Sequence, residues 1–304
     1  MTANRRKSMS HRALAASVAL ALPLCALAPR SALAAQNEVI AYGVDSFSSE
    51  CGGNDLDWSV AFAEAVYDIF NEWRSDGDWD QVSISKNTGV DGRDWTDASK
   101  DDGAYQVADD ENDPYGADHA DVAFLSSHGN RTASSSGGYL SRFVMGDDTD
   151  DCSVSTENDL LLGNGSYGDA EIAIFATCHS GDYTVWQHDG YDQVMSSSGS
   201  LNTYLGFHGV SYDSRTERNE LEDFVNASYS NGLGDNWLDE MYGWYVIYEQ
   251  CPVAIVWSSS DSTADSVYDY GGFADRDNFG SSKSQSTYYY LKGCNPQGAD
   301  KLPS

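Results

Sequence analysis

The sequence predicts an α/β domain with a mostly parallel central sheet, and three observations predict it. Several short segments are apolar on both faces, as strands buried in a covered sheet must be. Segments of helical period alternate with them. Chemically capable residues stand where two of the apolar segments end, which is where open α/β sheets collect function.

Taken in order, 38–44 (EVIAYGV) reads as the first buried strand. Residues 54–73 read as a helix, because Trp58, Phe62, Ala65, Val66, Ile69, Phe70 and Trp73 recur at i, i+3/i+4. Residues 82–85 form a short strand. The Asp/Gly-rich stretch 91–119 reads as an acidic loop or insertion. Strands follow at 121–125 (DVAFL), 171–176 (EIAIFA) and 203–207 (TYLGF). Helical patterns occupy 216–229 and 236–245, and 251–257 (CPVAIVW) is the last strand.

The N-terminus has the layout of a cleaved secretory signal. Arg5, Arg6, Lys7 and Arg12 form a basic head, 13–28 is an uncharged apolar run, and Ala32-Leu33-Ala34 offers small residues for cleavage. The apolar run is short for a bilayer span of ~20 residues. Cys25 lies within it, and the paired arginines leave general secretion and twin-arginine export both open. The expected organisation is a signal peptide at 1–34 and one domain at 35–304, secreted or in the cell envelope, with no integral membrane segment.

The leader holds five of the 17 basic residues and no acid, so the rest carries 12 basic residues against 48 acidic, a net of −36. Such a surface repels nucleic acid. Asp outnumbers Glu 36 to 12. That bias suits hydration in salt, or calcium, whose ligands are oxygens. Asp147, Asp148, Asp150 and Asp151 are the calcium candidates, beside the acidic run 109–113. Neither run has EF-hand spacing. His119, His179, His188 and His208 match no zinc spacing.

Five cysteines remain outside the leader: Cys51, Cys152, Cys178, Cys251 and Cys294. Export implies bridges, and an odd count leaves one thiol over. Cys178 ends an apolar strand while the other four sit in loop-like settings, so those four are the expected disulfide set, with connectivity open among three pairings.

The two strand ends are Phe124-Leu125-Ser126-Ser127-His128-Gly129 and Phe175-Ala176-Thr177-Cys178-His179-Ser180-Gly181. Parallel neighbouring strands would bring His128 and Cys178 together. An imidazole can take a thiol's proton, and the thiolate is the nucleophile. Gly129 lets its N–H approach an oxyanion, and the N–H of Cys178 is the second donor.

A strand ending in His-Gly followed by one ending in Cys-x-Ser-Gly resembles the caspase-like cysteine peptidases: caspases, legumains, gingipains and clostripains. The 50-residue separation agrees with the caspase pattern. The wider chain, through Leu160-Leu161-Leu162-Gly163 and Leu205-Gly206-Phe207-His208-Gly209, is similar to an uncharacterised exported family known as a domain of unknown function. The resemblance implies a caspase-like three-layer sandwich. It further implies an endopeptidase with His128 as base and Cys178 as nucleophile, an acyl-enzyme intermediate, a peptide or protein substrate and no required cofactor. The sequence departs from the pattern at Thr177 and lacks Gln-Ala-Cys. The alternatives are a non-catalytic relative, acidic and calcium-binding, and a thiol enzyme that passes the acyl group to an amine. His179 is expected on the far side of the strand from the sulfur. Trp186, Trp237, Trp244 and Trp257 are expected in the core or a pocket wall.

Overall fold

The computed structural model describes Asn4–Arg5 and residues 37–304, apart from 98, 101–115, 136, 148–151, 165–167, 189, 196–198, 246 and 280–282. Most of the expected signal peptide at 1–34, including its expected cleavage site, three of the four calcium candidates (Asp148, Asp150 and Asp151) and the acidic run 109–113 lie outside the described residues.

The elements run β1 (Asn4–Arg5), β2 (Glu38–Gly43), α1 (Ser59–Asp76), β3 (Gln81–Lys86), β4 (Val122–Ser126), β5 (Gly129–Ala133), β6 (Tyr139–Val144), β7 (Ser153–Ser155), β8 (Ile172–Ala176), α2 (Tyr183–Gln187), β9 (Thr203–His208), α3 (Arg215–Ala227), α4 (Leu233–Glu240), β10 (Gly243–Tyr245), β11 (Tyr248–Ser258), α5 (Asp261–Tyr270) and β12 (Gln285–Tyr290). The central sheet has the order β1-β12-β11-β9-β8-β4-β2-β3. Strands β3, β2, β4, β8 and β9 are parallel, and β11 and β12 are antiparallel additions. The mixed α/β class and mostly parallel sheet are as the sequence predicts.

The register β2–β4–β8 aligns Tyr42, Leu125 and Phe175 across one face. On that face Phe175 stacks between Phe143 and Tyr204 at 4.6 and 4.8 Å, and Trp95 packs on Tyr42 and Phe175. Trp95 is fully buried, so the 91–119 stretch is anchored in the core near its start. The small antiparallel sheet β5-β6-β7 supplies Phe143 to this face. The opposite face meets α1, at Gly43 against the first turn of that helix, and α4, where Trp237 packs on Phe207. Contacts link α1 to α3, α3 to α4 and α4 to α5 in one layer. The two faces are thus covered differently, by α1, α3, α4 and α5 on one side and by the small sheet, α2 and the segment carrying Trp95 on the other.

Helix α1 starts at Ser59, five residues later than its apolar spacing suggests. The carboxylate of Asp213 instead accepts the N–H groups of Asp57 and Trp58 at 2.7 and 3.0 Å, and Asp45 accepts that of Val60 at 2.9 Å. Side chains from elsewhere therefore cap the helix, and 54–58 stays outside it. The expected helix at 236–245 ends at Glu240, and Gly243-Trp244-Tyr245 pairs with β11. Trp186, Trp237 and Trp257 are buried as expected, but Trp244 is 67% exposed.

Two disulfides close the fold, Cys51–Cys152 and Cys251–Cys294. These are the four expected cysteines, although Cys251 lies buried within β11 and not in a loop, and Cys178 is free. No helix among the described residues is long and apolar enough to cross a membrane.

Candidate active site

Strands β4 and β8 are parallel neighbours in register, Ser126 beside Ala176, so the residues that follow them emerge at the same end of the sheet. His128 and Cys178 line one cavity of about 30 Å³, with Leu56, Ser59, Phe62, Ser126, Ser127, Ala176, Thr177, Ser211, Tyr212 and Asp213. That is room for a water or two. Gly129 lies so close to the Cys178 carbonyl that a side chain would collide with it.

The imidazole of His128 is held on two sides. Phe47 stacks on it with ring centroids 5.0 Å apart. Its Nε2 lies 2.7 Å from the carbonyl oxygen of Asn54. A carbonyl only accepts, so Nε2 carries a proton, and in the neutral ring Nδ1 keeps the lone pair. Asn54 was not singled out by its residue type, because the group used is its backbone. The loop that carries it is tied down nearby by Cys51–Cys152.

The sulfur of Cys178 lies 3.5 Å from the carbonyl oxygen of Ser211, so the thiol donates there. Burial pushes the thiol pKa up. Backbone hydrogen bonds at Ser211, Cys178 and Gly129 act to lower it, and the charge of Asp213 raises it. Burial prevails, so the resting sulfur is a thiol and not a preformed thiolate.

His179 differs from its neighbour. It adopts φ +56°, in the left-handed region, and its N–H bonds to the Gly209 carbonyl at 2.6 Å. Its Nδ1 lies 2.8 Å from Asp182 Oδ2. Asp182 is fully buried, and it also meets Arg131 and His208 Nδ1, each at 3.2 Å. Burial by itself would raise the Asp182 pKa. Hydrogen bonds from His179 and His208, and the charges of His208 and Arg131, outweigh that and hold it well below the usual carboxylate range. His208 donates from Nε2 to the Asp300 carbonyl at 2.6 Å, while its Nδ1 also lies 3.1 Å from the Tyr183 N–H. No residue type marks this buried hub in the sequence, where Asp182 is one of 36 aspartates.

The remaining metal candidates separate. His119 pairs with Glu38 at 2.7 Å, and His188 lies beside Gly138 and the Tyr139 ring, so the four histidines do not converge. Among the described residues, Asp121, Asp169 and Glu171 bring carboxylate oxygens within 4.8 Å of one another. Arg276 approaches Asp121 at 3.5 Å, and Lys283 acts on Glu171's side of the same region. No family model matches the chain, and neither a curated protein nor a solved structure matches it.

Proposed function

We propose that the chain is an exported cysteine endopeptidase of the caspase-like kind, with Cys178 as nucleophile and His128 as general base. The observation that carries the reading is a free thiol and an imidazole lining one cavity where two parallel strands end side by side. In support, the two residues follow adjacent parallel strands, and the sheet is covered on both faces as a three-layer sandwich would be. Two disulfides fit an oxidising location.

Because the resting sulfur is a thiol, the proton moves during the reaction. The sulfur attacks the peptide carbonyl carbon, and the thiol proton passes to His128 Nδ1. The Asn54 carbonyl holds the ring as it becomes charged. The oxyanion is received by the N–H groups of Gly129 and Cys178. Collapse breaks the C–N bond, His128 returns its proton to the leaving amine, and the acyl-enzyme is hydrolysed by water. The proposal requires neither metal nor cofactor. The substrate is a peptide or protein.

A second reading is favoured by one observation: the raised thiol pKa in a cavity of only about 30 Å³. It is a non-catalytic acidic binding or envelope protein with the same fold, calcium-binding if the acidic segment at 147–151 serves. Incubation of the purified chain with a peptide library, read by mass spectrometry, separates the two. The first predicts cleavage that Cys178→Ala and His128→Ala both abolish. No cleavage by the native chain favours the second, and cleavage surviving Cys178→Ala contradicts the first. Transfer to an added amine instead of water would indicate the acyl-transfer variant.

A further inference from the structure

The chain between β2 and α1 passes over His128 as a strap. Its ends are fixed. The N–H groups of Asp45 and Ser46 donate to Asn87 Oδ1 at 2.9 and 3.0 Å, that of Ser48 to the Gly146 carbonyl at 2.9 Å, and that of Leu56 to the Asp45 carbonyl at 2.8 Å. Residues 52–55 are exposed, and a side chain at Gly52 would meet nothing within 4 Å. Packing therefore does not hold this stretch down. Yet it carries the Asn54 carbonyl that accepts from His128 Nε2, and a β-carbon on Gly53 would stand 3.3 Å from His128 Cδ2.

The bridge from Cys51 to Cys152 pins it, across 101 residues of sequence. Cys152 directly precedes β7, in the small sheet that also fixes the backbone of His128. Met145 donates its N–H to the Cys152 carbonyl at 2.8 Å, and Val144 donates to the His128 carbonyl at 2.9 Å. The bridge thus closes a circuit from the His128 backbone through β6, Cys152 and Cys51 to Asn54, and back to the His128 ring. The other bridge, Cys251–Cys294, is buried, and its cysteines do not line the Cys178 cavity.

We propose that Cys51 and Cys152 are positioning residues of the candidate site, and that their bridge keeps the Asn54 carbonyl on His128 so that Nδ1 is left to the Cys178 thiol. The inference rests on the peptidase reading. It adds that the dyad is engaged only while this bridge is oxidised. An external thiol reductant ordinarily protects a catalytic cysteine from oxidation. Here it would disengage the base. Two electrons enter the S–S bond, Cys51 and Cys152 each gain a proton, and two reductant thiols are joined as a disulfide. Both cysteines are partly exposed, so a thiol reaches this bridge before the buried one.

The test is the pH profile of Cys178 modification by iodoacetamide, followed by intact mass in the whole chain below its unfolding temperature. The readout is the ratio of the rate at about pH 7 to that at about pH 10, where the thiol ionises unaided. This ratio reports the base and is insensitive to a general change in access. Cys51→Ser/Cys152→Ser should lower it several-fold, to the value of His128→Ala. Loss of a bridge closing so long a loop destabilises a chain, so Gly53→Ala is the second arm. It keeps the bridge, but sets a methyl group against the ring and alanine at φ +115°, and it should lower the ratio too. Cys251→Ser/Cys294→Ser should keep the native ratio. A native ratio in either strap variant overturns the proposal, as does an equal fall in the two bridge variants. If the native chain and His128→Ala share one ratio, the dyad itself fails and the proposal falls with it.

Discussion

His128 and His179 flank the same sulfur-bearing turn, yet their surroundings differ in kind. His128 is held by a neutral backbone carbonyl and an aromatic ring, and it shares a cavity with a free thiol. His179 is held by a buried carboxylate that also meets Arg131 and His208. The comparison teaches that the imidazole next to Cys178 in sequence is tied into a separate buried network, while the one that shares the cavity with its thiol comes from the neighbouring strand end.

Breaking the anchor of His179 should have the largest effect on stability. Asp182→Asn leaves a guanidinium and two imidazoles around a buried site without their carboxylate, which typically costs about 3–5 kcal/mol. For a chain of this size that is a fall in melting temperature of about 10 °C, measured by calorimetry or circular dichroism. The pH dependence has a definite sign. Asp182 titrates lower in the folded chain than in the unfolded one, so its stabilisation is present above about pH 4 and is lost as the pH falls below that.

The next effect separates the two histidines directly. His179→Ala removes a hydrogen bond to a charged group, worth about 1.5–3 kcal/mol, and places alanine in a left-handed backbone. His179→Gly should be less harmful, since glycine takes φ +56° freely. His128→Ala should change the melting temperature little and remove peptide cleavage. Equal stability losses in His128→Ala and His179→Ala would dissolve the distinction.

A smaller effect lies outside both. Glu220 titrates near pH 7 in the folded chain against 4.5 as a free side chain. The folded chain therefore holds a proton that the unfolded chain has released between those values. The contribution to stability is present at about pH 4.5 and is lost as the pH rises through about 7. The melting temperature should fall between about pH 5 and pH 8, and Glu220→Gln should flatten that slope.

The sequence made the Cys178 side of the comparison legible and the Asp182 side invisible. Two apolar strands ending in His-Gly and in Cys imply a shared sheet end once the strands are parallel, and the odd cysteine count isolates the free thiol. Asn54 acts through its carbonyl, which any residue has, so no letter marks it. Asp182 matters only because β9 carries His208 and β5 carries Arg131 to the same point. Strand β12 was missed for a related reason. Tyr288 and Tyr289 are buried, and their hydroxyls find Gly181 O at 2.6 Å and Asp265 at 3.0 Å, partners far away in sequence. The small sheet β5-β6-β7 is polar and half-exposed along β5, so it carries little hydrophobic pattern. Beyond the strands, the late start of α1 reflects capping by Asp213, more than 150 residues on.

The central claim is that His128 and Cys178 react as one unit, and the rate at which iodoacetamide modifies Cys178 tests it most directly. The rate is followed by intact mass across about pH 6 to 10, in the native chain and in His128→Ala. Burial of the thiol predicts a native profile that still climbs above the free-thiol pKa of ~8.5. Proton transfer to His128 predicts that at about pH 7 the native chain reacts several-fold faster than His128→Ala, with the two converging at high pH where the thiol ionises unaided. Profiles that coincide over the whole range would show that the imidazole and the thiol are uncoupled, and would contradict the account.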